Sequence, residues 1–161
     1  MSVSVKVTRK KTAQGKRTDG LMAALNGSHV LVGFPQGDPR QARSEGTMTN
    51  ASLAALHNYG SPDQGIPARP FMTEAMDSAE NKQKVRILML GGFRRMIVGR
   101  ETMRGMLGKA GEFMVGAIKD SIRNGNWAPN KPRTIAVKGS SKPLIDTAQM
   151  MNSVSSKVVV R

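Results

Sequence analysis

MRGMLGKAGEFMVGAI, residues 103–118, carries Met103, Met106, Leu107, Ala110, Phe113, Met114, Ala117 and Ile118 at steps of three and four. At 3.6 residues per turn these side chains fall on one apolar stripe, so the stretch predicts a long amphipathic helix whose stripe is buried. Asn124 and Gly125 supply its C-terminal stop. On the other side Gly105, Gly108 and Gly116 lie among Lys109, Glu112 and Lys119. A face of so little bulk either admits a neighbouring helix closely or is a solvated face that tolerates glycine because the opposite stripe holds the helix.

Working outward, a second helix is expected from Thr73 to about Arg95. Glu74 and Asp77 sit in its first turn and Lys82, Lys84 and Arg86 come later, in the sense the helix dipole favours. Gly91 and Gly92 each cost about 1 kcal/mol relative to alanine in a helix interior, so the helix can break or kink there. Upstream, Ser2 to Thr8 alternates Val3, Val5 and Val7 with polar residues, the pattern of a half-buried strand. Asp19 is read as the N-cap of a short helix through Leu21, Met22, Ala24 and Leu25, closed by Asn26 and Gly27. His29 to Phe34 reads as a strand ended by Pro35, and Gln36 to Thr47 as a loop. Thr49 or Asn50 then caps a short helix that Gly60 terminates.

In Pro62 to Pro70, Pro67 and Pro70 fix their own φ and bias Ile66 and Arg69 toward extended backbone, which gives a stiff loop without regular structure. Downstream of the central helix, Asn126 to Pro143 is rich in Pro, Lys and Gly and reads as an extended excursion with at most a short hairpin around Ile135 to Val137. Asp146 or Thr147 is expected to cap a last short helix through Met150 and Met151. The β-branched run Val154 to Val160 should close the sheet. The expected fold is thus α+β, one domain over residues 1–161, with a small mixed or antiparallel sheet, two long helices, extended loops and a basic N-terminal arm.

That arm is Arg9 to Arg17, where Arg9, Lys10, Lys11, Lys16 and Arg17 repel one another and no apolar cluster offers a fold, so it is expected to be mobile until a partner orders it. Over the whole 161 residues Lys and Arg outnumber Asp and Glu 25 to 11, a formal charge of +14 that attracts a polyanion or an acidic protein face. Only 4% of residues are aromatic, and no helix is rich in Arg, Asn and Gln, so base stacking and sequence readout are not expected. Any DNA contact would run through phosphates and weaken steeply with salt. Met occurs 12 times, which suits irregular packing and subunit contacts, and the absence of Cys rules out disulfides and thiolate metal sites. The start MSVSVKVTRKK has no apolar segment of signal-peptide length, and no run long enough to span a membrane occurs, so a soluble, unsecreted chain is expected.

No catalytic, cofactor or metal constellation emerges. His29 and His57 are the two histidines, one at a strand start and one at a helix end, and both suit hydrogen-bonded structural roles. Asp77 and Glu80 stand three apart on a predicted helix, where the macrodipole explains them more simply than acid–base chemistry. Gly15, Lys16 and Arg17 lack the preceding glycine and the Ser or Thr of a phosphate-binding loop.

Two peptides remain: Ala55 to Met72, ALHNYGSPDQGIPARPFM, and Trp127 to Ser153, WAPNKPRTIAVKGSSKPLIDTAQMMNS. In order and spacing they resemble the two signature blocks of tail-completion or neck proteins of tailed bacteriophages, the virion-morphogenesis family, over roughly Val30 to Val160. The matching positions are His57, Gly60, Ile66, Pro67, Ala68, Arg69, Pro70 and Phe71 in the first block. In the second they are Trp127, Pro129, Thr134, Lys138, Pro143, Leu144, Asp146, Thr147 and Ser153. Ala148 stands where relatives often have Gly. The resemblance implies a non-catalytic structural subunit without cofactors that forms a ring at the head-to-tail junction, sealing the tail or joining it to the connector. Such a protein would be assembled in the host cytoplasm and retained in the virion beside other neck, connector or tail proteins. Arg69, Pro70, Phe71, Trp127 and Lys138, in stiff segments outside periodic elements, are the expected interface residues, and the basic arm is the expected contact to channel DNA or to an acidic neighbour. The alternative is a general basic nucleic-acid-binding module, which explains the charge and leaves the two blocks unexplained.

Overall fold

The computed structural model describes residue 10, residues 12–42 and residues 48–161; the strand expected at 2–8 lies outside them. Among the described residues the α-helices are α1 (Ala13–Leu25), α2 (Asn50–Tyr59), α3 (Phe71–Asp77), α4 (Ala79–Ile97), α5 (Met103–Asn124), α6 (Pro132–Lys138) and α7 (Gln149–Asn152). Strands β1 (His29–Gly33) and β2 (Ser155–Val159) pair antiparallel, His29 opposite Val159 and Gly33 opposite Ser155. The fold is α+β as expected, with α4 and α5 the two long helices.

Helix α5 is the central element, packed against α3, α4, α7 and both strands. Its N-terminal half buries Met103, Met106 and Leu107 against Met96 of α4, with Leu21 and Leu25 of α1 and Val158 of β2 closing the cluster. Its C-terminal half buries Val115, Ile118 and Ile122 against Ala54, Phe71, Ala75, Leu144, Met150 and Val154. Phe71 and Ile118 are both 0% exposed, and full burial of one such side chain stabilises by roughly 1.5–3 kcal/mol. Between the halves the sheet crosses at Gly111, where a Cβ would come within 2.8 Å of Val30 and 2.9 Å of Ser156. Glycine there lets the strands lie directly on the helix.

The predicted stripe is therefore buried, with its edge shifted. Phe113, Met114 and Ala117 are only half-buried, whereas Val115 and Ile122, outside the expected set, are in the core. Packing on two sides by different elements widens the buried face beyond a single stripe. Of the glycines read as a low-bulk face, Gly108 and Gly116 have nothing near them. The close helix contact uses Gly92 instead, where a Cβ would overlap Met106 of α5.

That contact explains why no break occurs at Gly91 and Gly92. The break falls at Ser78, whose extended backbone (φ −52°, ψ 124°) separates α3 from α4 and whose hydroxyl accepts from Asn81 N. Asp77 therefore ends α3 and Glu80 stands in the first turn of α4. At the α4–α5 corner, Glu101 pairs with Lys109 and Arg95, and the hydrogen bond from Lys109 holds its carboxyl below the usual range.

Four further expectations are corrected. Residues 13–17, expected to be part of a mobile arm, form the first turn of α1, capped by Thr12, which accepts from Gly15 N; Asp19 lies inside the helix and does not cap it. Residues 132–138, expected to be extended or a hairpin, form α6, with Pro132 in the first turn and Gly139 (φ 67°) closing it. The α7 N-cap is Ala148, in the left-handed region at φ 58°, with no side-chain cap from Asp146 or Thr147. Pro62–Gln64 is a short 3-10 turn inside the expected loop.

Candidate functional site

The two peptides singled out in the sequence meet at one place. Helix α2 stops at Gly60 (φ 74°), whose missing Cβ would stand 2.7 Å from Ala68 N, so the chain can double back tightly only with glycine here. Ser61 and Ile66 then exchange two backbone hydrogen bonds of 2.9 Å, pinching off Pro62 to Gly65, and Arg69 N donates to His57 O at 2.7 Å. Asn58, buried at the end of α2, accepts from Met72 N and Thr73 N with its amide oxygen and donates to Thr73 Oγ1, seating the start of α3. Both ends of the Pro-rich loop are thereby fixed.

On the other side, α5 ends at Gly125 under the indole of Trp127, whose Nε1 donates to Ser121 O at 3.0 Å. This folds the chain back across the loop. The side chain of Arg69, 4% exposed, then bridges the two segments. Its Nε donates to Ala128 O at 2.8 Å, and one terminal nitrogen donates to Pro129 O at 3.2 Å and Asn130 Oδ1 at 3.3 Å. The other lies 3.4 Å from His57 Nδ1. Asn130 passes the linkage on through its amide nitrogen, which donates to Ser141 O and Lys142 O, while Lys138 Nζ donates to Lys142 O at 3.0 Å. Among the described residues no carboxylate is ion-paired with Arg69, so burial pushes its pKa down, as it does for Lys138, where Asp146 opposes the shift and Arg69 reinforces it. A planar fork satisfied by carbonyls is a positioning device.

The expected interface residues accordingly divide. Arg69 and Phe71 are buried, Trp127 and Lys138 are half-buried, and Pro70 is exposed. The expectation that Arg69 and Trp127 point outward is corrected: their polar atoms satisfy backbone carbonyls that the turns leave open. What this arrangement presents to solvent is the outer rim of the same loop. Tyr59 (77% exposed), Pro62, Ile66, Pro67 and Ala68 line a shallow, largely apolar concavity of about 380 Å3. Tyr59 was not singled out in the sequence, and its only signal there was an aromatic just before a helix-ending glycine.

Of the basic arm, Lys10 and Lys16 are exposed, and Arg17 lies over Gly99 at the C-terminal end of α4, where a cation is favoured. Arg9 and Lys11 lie outside the described residues. Among the described residues no group of acids and histidines has metal-binding geometry, and no helix is long and apolar enough to cross a membrane. Compared with known proteins, the chain matches no family model, no curated protein and no solved structure.

Proposed function

We propose that this chain is a structural virion subunit of a tailed phage, forming an oligomeric ring at the head-to-tail junction that completes the tail or joins it to the connector. The observation that carries this reading is the Arg69 bridge. The two peptides on which the resemblance to tail-completion and neck proteins rests are separated by residues 73–126, and they form one hydrogen-bonded unit. Such a unit holds the rim Tyr59, Pro62, Ile66, Pro67 and Ala68 rigidly, which reduces the ordering cost of binding a neighbour. The high positive charge suits a ring whose channel passes DNA, contacted through phosphates alone.

The test is in vitro completion. Lysates of a phage lacking this chain should contain separate heads and tails by electron microscopy, and adding the purified chain should restore joined, infectious particles. Joined particles without the chain would refute the proposal.

A further inference from the structure

A groove of about 560 Å3 runs between α5 and the α3–α4 break. Its walls carry Glu74, Glu80, Glu112 and Asp120 and no Lys or Arg, and Phe113 and Ala117 give it apolar surface. The chain has 25 basic and 11 acidic residues, so four of the eleven carboxylates converge where no basic residue lines the wall. Glu74 and Glu80 have no ion-pair partner among the described residues, while Asp120 shares Arg123 at 3.3 Å and Glu112 accepts from Ser156 Oγ. Buried beside them, Ser121 Oγ has no hydrogen-bond partner among the described residues.

The complementary surface is on the same chain. Lys84, Ile87, Leu90 and Arg94 share one face of α4 by helical spacing, and all four are exposed, Ile87 at 55% and Leu90 at 51%. Gly91, between them, keeps the ridge low. Neither Lys84 nor Arg94 is ion-paired among the described residues. An apolar ridge flanked by free cations matches a groove with apolar surface and free carboxylates.

We propose that the α4 ridge of one copy docks in the acidic groove of the next. Groove and ridge share no residue, and in the proposed arrangement each copy gives its ridge to the next and takes the ridge of the one before. Such a contact is heterologous, and repetition closes a ring if the rotation permits. This rests on the ring proposed above and assigns its subunit contact.

The test is sedimentation velocity of the purified chain with two charge-reversed variants, Glu74→Lys/Asp120→Lys in the groove and Lys84→Glu/Arg94→Glu on the ridge, all at exposed positions so that helicity is retained. The wild-type chain should form a closed oligomer larger than a dimer. Each variant alone should associate roughly tenfold or more weakly. An equimolar mixture should regain assembly beyond the dimer, because the native ridge of one variant meets the native groove of the other and the two reversed surfaces again carry opposite charge. Wild-type chain that stops at a dimer, or variants that assemble like wild type, would overturn the proposal. In the second outcome the ring reading would stand with another contact; failure of particle completion is the separate result that would remove the ring reading itself.

Discussion

The guanidinium of Arg69 donates to the carbonyl oxygen of Ala128 at 2.8 Å, across 59 residues of sequence, and this bond ties the Pro-rich loop to the segment that follows α5. Replacing Arg69 by Met keeps the bulk and removes donors from Ala128 O, Pro129 O and Asn130 Oδ1. An acceptor left open costs about 1–3 kcal/mol where water cannot reach it; Ala128 and Asn130 are half-buried and Pro129 exposed, so water replaces part of what is lost and a net loss of about 1–3 kcal/mol in urea unfolding is expected. Arg69→Lys should recover little, since one ammonium cannot reproduce the planar fork.

Two glycines separate packing from propensity. Gly108 has open space beyond its Cα, so Gly108→Ala should stabilise by up to about 1 kcal/mol. Gly92→Ala offers the same helix propensity but drives a Cβ into Met106, and should destabilise by about 1–3 kcal/mol. Thermal unfolding of the pair, with opposite signs of shift, checks the α4–α5 contact.

Ala148 holds a left-handed backbone at φ 58°, which costs a residue with a Cβ roughly 1–2 kcal/mol. Ala148→Gly relieves that strain and adds unfolded-state entropy, so a net gain of about 0.5–1 kcal/mol is expected from denaturant midpoints. The turn tolerates Ala and prefers Gly.

Acid should loosen two corners. Arg40 holds the Asp38 carboxyl far below the usual range, helped by Ser155, and Lys109 lowers that of Glu101. For a carboxylate with a depressed folded-state pKa, the stabilisation is present above its unfolded value near 4 and is lost as pH falls through the folded value. Unfolding free energy should therefore fall with decreasing pH below about 4, and Asp38→Asn with Glu101→Gln should flatten that slope. An unchanged slope would mean that neither pair acts.

The sequence made the long helices, the two strands and the α2 stop legible because each rests on local signals: the 103–118 stripe, β-branched runs, and Gly60 after an apolar-periodic segment. The Ser78 break was not legible, because Gly91 and Gly92 carry the stronger local signal and only the contact with Met106 overrides it. Helix α6 was missed although Pro132 and Gly139 frame it, since the lysines and prolines around it dilute any apolar period. At the candidate site, the sequence marked Arg69 and Trp127 and misjudged their exposure. Residues that satisfy carbonyls across 59 positions leave no periodic trace, and the same holds for Asn58 and Asn130.

Native-state hydrogen exchange on wild-type chain and Arg69→Met, under conditions where both are folded, tests the joining of the two peptides most directly. Amides of residues 61–70 and 126–146 should gain exchange together in the variant, while those of Val115 to Ile122 in α5 keep their protection. Unchanged exchange in both segments, or a change confined to one of them, would contradict a unit held together by Arg69.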